Sequence, residues 1–161
     1  FRTVLGNIMF PMDFLTDWSL AEKKERARYL LDKVNVKDSE DKYPDELSGG
    51  MQKRVGIARA IALNPEYLFC DEPNSGLDPE TSIVIDQLIS SLTKELGITT
   101  IMNTHDMNSI LEIGDNIGFL HKGTILWEGD RHSILSSDCR QLTDFLCSNT
   151  LARNIIRPQG R

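Results

Sequence analysis

The stretch YLFCDEPNSGLDPETSIVIDQLISSLTKELGITTIMNTHD, residues 67–106, decides the fold, because a strand, a helix and a second strand follow one another in it. An apolar run at 67–70 predicts a buried first strand, and a β-branched run at 98–102 predicts the second. Between them, Asp78 predicts the start of a helix and Gly97 its end. This order of elements predicts an α/β fold with a parallel sheet.

Two acids and a histidine stand where these strands end. Asp71 and Glu72 follow the first strand, and His105 follows the second. Ligands of parallel sheets bind outside the carboxyl ends of the strands. One of two adjacent carboxylates can hold Mg²⁺ while the other orients or deprotonates a water, and a histidine can donate a hydrogen bond to a phosphate. Taken alone, the acids are also typical of a solvated turn, and the histidine of a structured loop.

A glycine-rich helix start lies upstream of these acids. In LSGGMQ, residues 47–52, a hydroxyl and two glycines open a helix that we expect to run from about Ser48 to Leu63. Backbone N–H groups at a helix N-terminus form a ready anion site when no Cβ obstructs them. An ordinary Ser-capped helix after a glycine loop is an equally good interpretation of this segment alone. The segment 75–78, SGLD, taken alone indicates a turn with an N-cap aspartate.

The flanking segments supply further elements. Thr3 predicts the cap of a short helix that Pro11 stops, and a capping box at Ser19–Glu22 opens a helix to about residue 34. Downstream, we expect a hairpin with a two-residue loop at 122–123 and a helix over 140–147, followed by a basic tail.

Composition excludes several classes of protein. The 161 residues carry 18 basic and 24 acidic side chains, a net charge of −6, which disfavours a nucleic-acid partner. Apolar residues make up 40% of the chain, as in globular domains. No apolar stretch approaches the roughly 18 residues of a membrane span. The three cysteines lack metal-ligand spacing, and Cys70 in its apolar run indicates a small buried residue in a reducing compartment.

Taken together, these motifs change the interpretation. From Ser48 it is 23 residues to Asp71, 7 more to Asp78 and 27 more to His105. This order resembles the nucleotide-binding subunit of ABC transporters. In that comparison the segment 47–52 matches the signature motif, 67–72 the Walker B strand, 75–78 the D-loop, and His105 the switch histidine.

The resemblance implies a partial P-loop NTPase (RecA-like) core with a parallel sheet and an ABC α-helical subdomain. We expect part of the helical subdomain at 1–64, the second half of the core at 65–135, and a C-terminal helix and tail at 136–161. No glycine of the chain is followed by lysine, so a P-loop is absent from it. We therefore expect a C-terminal fragment that begins after the family's glutamine loop and neither binds nor hydrolyses ATP by itself.

The resemblance also assigns roles, with ATP and Mg²⁺ as cofactors. Asp71 would hold Mg²⁺, Glu72 would act on the attacking water, and His105 would contact the γ-phosphate. The residues expected to contact nucleotide, across a head-to-tail dimer of two ATPase subunits, are Ser48, Gly49, Gly50, Met51, Gln52 and Asp78. We expect a transmembrane permease as partner, and a location on the cytoplasmic face of the inner (plasma) membrane. The apolar run at 8–15 would line the permease groove or form helical core.

Departures from the commonest motif point to a subfamily. Met51 replaces the usual glutamine, and with the basic pair after Gln52 the segment is similar to the ATPase of MCE-type systems, which move phospholipid or other hydrophobic substrates. Asn74 stands where many relatives have threonine. ABC ATPases of DNA repair, chromosome maintenance or translation, which transport nothing, and a non-catalytic regulatory domain are the alternatives.

Overall fold

The computed structural model describes residues 1–148, which divide into two compact units, residues 1–103 and the residues from Thr104 onward. The first unit contains α1 (Val4–Leu15), α2 (Leu20–Lys33), a 3₁₀ turn (Pro44–Glu46), α3 (Gly49–Ala60), β1 (Tyr67–Asp71), α4 (Pro79–Leu96) and β2 (Thr99–Asn103). The second contains α5 (Met107–Ile113), β3 (Ile117–His121), β4 (Thr124–Gly129), a 3₁₀ turn (Ile134–Ser136) and α6 (Arg140–Ser148). The division into three segments at 64 and 135 stays a prediction.

The parallel strand pair is confirmed. β1 and β2 pair in parallel, with Leu68 opposite Thr100 and Asp71 opposite Asn103. The crossover between them is α4, which begins after the N-cap Asp78 and ends at Gly97 in the left-handed conformation, with φ of 63°. Both ends of the helix lie where the sequence predicts them. Each end depends on one local residue: a carboxylate caps the N-terminus, and a residue that tolerates positive φ ends the helix.

The prediction that the first strand is buried is wrong for alternate residues. Leu68 is only 3% exposed, whereas Tyr67 is 58% and Phe69 is 72% exposed. Ile101, which pairs with Phe69, is 51% exposed. Successive side chains of a strand point to opposite faces, so one face of this two-stranded sheet joins the core and the other faces solvent.

The core of the first unit lies between the helices and the buried face of the sheet. Its large side chains that are almost completely buried are Ile8 and Met12 of α1, Leu30 of α2, Ile61 after α3, and Ile85, Ile89 and Leu92 of α4. The spacing of three to four residues in α1 and α4 is that of an amphipathic helix, so burial of these apolar faces holds the unit together.

Pro11 does not end α1, contrary to the sequence-based prediction. The helix continues for four residues beyond it, to Leu15. A proline inside a helix costs about 3 kcal/mol through the lost hydrogen bond and a steric clash. Met12 is completely buried one residue later, on the same face as Ile8. Burial of such a side chain contributes about 1.5–3 kcal/mol, which offsets most of that cost.

The capping box of α2 is confirmed, and α3 is shorter than expected. Ser19 N donates to the Glu22 carboxylate at 2.7 Å, and Glu22 N donates to the Ser19 hydroxyl at 3.3 Å. α3 ends at Ala60 rather than near residue 63. The guanidinium of Arg26, on α2, donates to the carbonyl oxygens of Ile61 and Ala62. This side chain satisfies carbonyls at the helix end, so no further helical turn is needed there.

In the second unit, β3 and β4 form the predicted hairpin. Its turn residues Lys122 and Gly123 both have positive φ, 48° and 81°, as a tight two-residue hairpin turn requires. A separate small core is formed by Met107, Ile134, Leu142 and Leu146. The predicted helix at 140–147 is present as α6, and the predicted basic tail to residue 161 lies outside the described residues.

Within residues 1–148, no helix combines the length and the apolar content that a membrane crossing requires.

Two glycines with opposite backbone requirements provide a test of this fold. Gly56 lies inside α3, where an added Cβ would meet no other part of the chain within 4 Å beyond its own neighbours and helix backbone. Gly97, by contrast, has φ of 63°. Gly56→Ala should therefore stabilise the chain by about 0.5–1 kcal/mol, because alanine favours the helix. Gly97→Ala should destabilise it by about 1 kcal/mol, because a Cβ disfavours the left-handed conformation. Urea unfolding of both variants measures these changes, and shifts of the same sign would contradict the assignment.

Candidate functional site

The acid at the end of β1 is held by the neighbouring strand. Asp71 is the last residue of β1 and is exposed, and Asn103, its register partner on β2, donates from Nδ2 to Asp71 Oδ1 at 2.7 Å. Parallel pairing thus places an amide donor beside the carboxylate and fixes its orientation. This is the strand-end position at which the sequence predicts a metal-binding acid.

Glu72 adopts a strained backbone conformation directly after the strand. Its φ is 45°, in the left-handed region, which costs a non-glycine residue about 1–2 kcal/mol. Three contacts hold it there: its N–H donates to Asn103 O at 2.9 Å, and its carbonyl accepts from Ser75 N at 3.1 Å and from Lys53 Nζ at 3.5 Å. Such strain is typical of functional positions whose surroundings fix the backbone.

The segment that follows is a tight turn closed by a helix cap. Leu77 N donates to Asn74 O at 3.1 Å, and Gly76 has φ of 80°, a conformation that favours glycine. The Asp78 carboxylate accepts from the Thr81 backbone N–H at 2.9 Å and from its hydroxyl at 2.6 Å. Both hydrogen bonds lower the pKa of Asp78 below its usual value, and the bond from the Thr81 hydroxyl has the larger effect. The N-cap predicted for Asp78 is confirmed, and its contact with nucleotide stays a prediction.

The glycine-rich segment forms the capped N-terminus of α3. The Ser48 hydroxyl accepts from Met51 N at 3.3 Å, and the Gln52 side chain donates back to Leu47 O at 3.2 Å. Ser48 and Gly49 are both exposed. The first N–H groups of a helix have no partner inside it, so the exposed end of α3 presents donors and a positive partial charge to solvent. This geometry suits an anion such as a phosphate.

The two glycines of this segment have different surroundings. A Cβ on Gly50 would lie 2.6 Å from Thr81 Cγ2, which no ordinary contact allows, and Gly50 is buried. A Cβ on Gly49 would meet Leu77 Cδ2 at 3.5 Å, an ordinary distance. The sequence indicated that both glycines leave room for an anion. The structure adds that Gly50 permits close packing of α3 on α4, a contact with Thr81 that no sequence pattern marked.

An open groove of about 460 Å³ brings several of the expected site residues together. Gly49 and Gln52 line it from α3, and Asp71 lines it from the end of β1. Ser48, Met51, Glu72 and Asp78 lie in the adjoining segments of the same unit without lining it. The helix N-terminus and the strand-end acid therefore border one cavity.

His105 belongs to the second unit, where it is exposed in the loop before α5. The residues on either side of it form local hydrogen bonds. Asp106 N donates to the Thr104 hydroxyl at 3.0 Å, and the Asp106 carboxylate accepts from Asn108 N at 2.9 Å as the cap of α5. The histidine therefore sits on a backbone that its neighbours hold in one conformation.

The chemistry of Asp71 fits a magnesium ligand. Mg²⁺ in proteins is usually held by one or two carboxylates together with substrate phosphates and waters. In the described part of the chain, no group of three or more His, Cys, Asp or Glu side chains could hold a metal ion. An exposed carboxylate oriented by Asn103 can contribute one ligand beside a bound phosphate, so the residues present fit this mode of binding and not a protein-only metal cage.

A family model described as ABC transporter matches residues 2–75. This part of the chain is similar to the ABC transporter family. Similar proteins include the methionine import ATP-binding protein MetN of Carboxydothermus hydrogenoformans, 44% identical over 128 residues, or 80% of this chain and 38% of that protein. MetN of Desulfitobacterium hafniense is 36% identical over 160 residues, 97% of this chain and 47% of that protein. The chain spans less than half the length of these curated relatives.

Solved structures confirm the α/β fold of ABC ATPases. The chain superposes with a TM-score of 0.70 and 34% identity on the ATP-binding cassette MJ0796, in a dimeric post-hydrolysis state bound to ADP and Pi. The match covers 81% of this chain and 57% of that one.

The prediction of an MCE-type lipid transporter is not supported, because these relatives are named as methionine import proteins. The residues that suggested it serve local structure. Met51 packs against the core, Lys53 donates to Glu72 O, and Arg54 donates to the carbonyl oxygens of Gly50, Val34 and Asn35. Local packing and hydrogen bonding therefore account for these three side chains.

The contact between Gly50 and Thr81 can be tested by a paired substitution. Gly50→Ala should destabilise the chain by about 1–3 kcal/mol, because its Cβ would overlap Thr81 Cγ2. Adding Thr81→Ser removes that methyl group, retains the hydroxyl that bonds Asp78, and should restore most of the lost stability. Gly49→Ala is the matched control and should change stability little. Equal losses at the two glycines, measured by urea unfolding, or no recovery in the double variant, would contradict the packing role.

Proposed function

We propose that this chain is part of the ATP-binding subunit of an ABC transporter and carries groups that act on the terminal phosphate of ATP. One observation carries this proposal: pairing with β2 orients the Asp71 carboxylate at the end of β1 and holds Glu72 in a strained backbone conformation directly after it. A strand-end carboxylate can hold the Mg²⁺ that accompanies ATP, and an adjacent carboxylate can act on the attacking water. The match of residues 2–75 to the family supports the same conclusion.

Each of these residues has a separate role in the proposed hydrolysis of ATP. Glu72 orients the attacking water and accepts its proton, and Asp71 would hold Mg²⁺, which would supply charge neutralisation at the phosphates. The exposed end of α3, from Ser48 and Gly49, donates hydrogen bonds to phosphate oxygens. Separately, the exposed His105 of the second unit is assigned a hydrogen bond to a γ-phosphate. Phosphoryl transfer depends on positioning and charge stabilisation, so a Glu72 backbone fixed by three contacts suits this role.

We propose that the α3 end serves a nucleotide bound to a second subunit, in a head-to-tail dimer. Ser48 and Gly49 are exposed and face solvent at the helix start, as a contact made across an interface requires. The similar cassette MJ0796 was solved as a dimer with ADP and Pi, which supports a dimeric arrangement.

A permease partner is proposed for one face of α1. The apolar run at 8–15 was expected to form helical core or to line the permease groove. Ile8 and Met12 are completely buried in the core, whereas Phe14 is 70% and Leu15 is 71% exposed. Phe10 packs edge-on against Phe14, with ring centroids 5.0 Å apart. The exposed residues form an apolar patch suited to a protein partner. Attachment through the permease would place the subunit at the cytoplasmic face of the plasma membrane.

For the transported substrate, we propose an amino acid of the methionine class. The MetN proteins of C. hydrogenoformans and D. hafniense, and that of Bacillus subtilis with 39% identity over 142 residues, are all named as methionine import ATP-binding proteins. These names favour transport over the ABC ATPases of DNA repair or translation.

Substitution of Glu72 tests the catalytic assignment. In the full-length protein, Glu72→Gln should retain ATP binding and lower kcat by about 10²- to 10⁴-fold, because the amide cannot accept the proton of the attacking water. Steady-state hydrolysis and equilibrium nucleotide binding measure the two properties. Glu66→Gln, at the exposed residue before β1, is the matched control and should leave both unchanged. Near-normal turnover of Glu72→Gln would remove the assigned role.

The apolar patch on α1 is tested by association with the permease. Phe14→Ala in the full-length protein, co-expressed with its permease, should weaken co-purification of the two by about tenfold, because an exposed aromatic anchor is lost. Basal ATP hydrolysis of the free subunit should not change. Tyr43→Ala, which removes another exposed aromatic ring, is the control. Equal recovery of the permease with both variants would argue against this surface.

A further inference from the structure

A buried polar pair ties the turn after β1 to the helix that follows it. Asn74 is 8% exposed and Asp86 is 3% exposed, and Asn74 Nδ2 donates to Asp86 Oδ1 at 2.8 Å. Asp86 lies in α4, two helical turns beyond the N-cap Asp78. The hydrogen bond therefore spans from the turn to the side of the helix, across 12 residues of sequence.

Asn74 lies in the turn between Glu72 and Asp78, so its position affects both of these acids. Asn74 lies two residues after Glu72 and four before Asp78, and its carbonyl accepts the Leu77 N–H that closes the turn. Displacement of Asn74 would move both flanking acids. Glu72 is the more sensitive of the two, because its φ of 45° is disfavoured and depends on its surroundings.

The energetics make the pair mutually dependent. A buried carboxylate is costly unless hydrogen bonds satisfy it, so loss of the Asn74 donor makes burial of Asp86 less favourable. A threonine at this position would have a shorter side chain than asparagine. Its hydroxyl would fall short of the place that Asn74 Nδ2 occupies, so the asparagine and the buried aspartate form a matched pair in this chain.

We propose that Asn74 and Asp86 are positioning residues that hold Glu72 and Asp78 in their working geometry. The pair anchors the turn to α4, and α4 also packs against the N-terminus of α3 through Thr81 and Gly50. One helix thereby fixes the spacing between the strand-end acids and the phosphate-binding helix start. The catalytic part of this inference rests on the proposed function, and the structural part does not.

Kinetics of the full-length protein test the catalytic part. Asn74→Ala and Asp86→Leu should each lower kcat for ATP hydrolysis by at least about tenfold and leave KM for ATP unchanged, because a displaced Glu72 affects the reaction more than binding. Asp86→Asn should retain most activity, because its amide oxygen can still accept from Asn74 Nδ2. The double variant of Asn74→Ala and Asp86→Leu should be no worse than the poorer single one. Asn116→Ala, an exposed asparagine of the second unit, is the control.

Hydrogen exchange of the 161-residue chain tests the structural part without ATP. Asn74→Ala should speed exchange of the Ser75 and Leu77 amides by at least about tenfold, while the amides inside α2 exchange as in the unsubstituted chain. If Asn74→Ala does not fold, Asn74→Thr provides the same measurement.

The outcomes separate the two proposals. A full-length protein that does not hydrolyse ATP would overturn the proposed function, while altered exchange at Ser75 and Leu77 would still support the anchoring pair. Unchanged exchange would overturn the pair. Unchanged kcat in Asn74→Ala, or Asp86→Asn as impaired as Asp86→Leu, would overturn its positioning role even in an active ATPase.

Discussion

The parallel pairing of β1 with β2 is the constraint on which the site depends. Parallel strands need a crossover, and α4 supplies it between Asp78 and Gly97. The register then places Asn103 beside Asp71, where it orients the carboxylate, and its carbonyl holds the strained backbone of Glu72. Without this pairing the two acids would stand in an ordinary solvated turn, so the arrangement that suits phosphate chemistry is a consequence of sheet topology.

The crossover helix also connects the motifs to one another. Its first turn touches the start of α3 through Thr81 and Gly50, and its third turn is bonded to the turn after β1 through Asp86 and Asn74. Protein interiors are close-packed, so a shift of α4 would be transmitted to both contacts. Ser48 at the start of α3 and Asp78 at the cap of α4, 30 positions apart, thereby keep a defined geometry.

Local signals in the sequence predicted much of the fold. The caps at Thr3, Ser19, Ser48 and Asp78, the hairpin at 122–123 and the parallel pair depend on residues close in sequence or on a regular apolar pattern. The failures involve distant partners. Burial of Met12 keeps α1 helical beyond Pro11, and Arg26 of α2 satisfies carbonyls at the end of α3. The Gly50–Thr81 contact is likewise invisible in a single sequence, because 31 positions separate the two residues.

The subfamily prediction failed for a related physical reason. A motif with Met51 and two basic residues looks like a marker of the transported substrate, yet each of these side chains packs or donates within the first unit. Contacts with the core and with backbone carbonyls account for these side chains without reference to a transported molecule. The same residue types can therefore appear in a short motif for packing reasons alone, so a motif of this length does not identify a substrate.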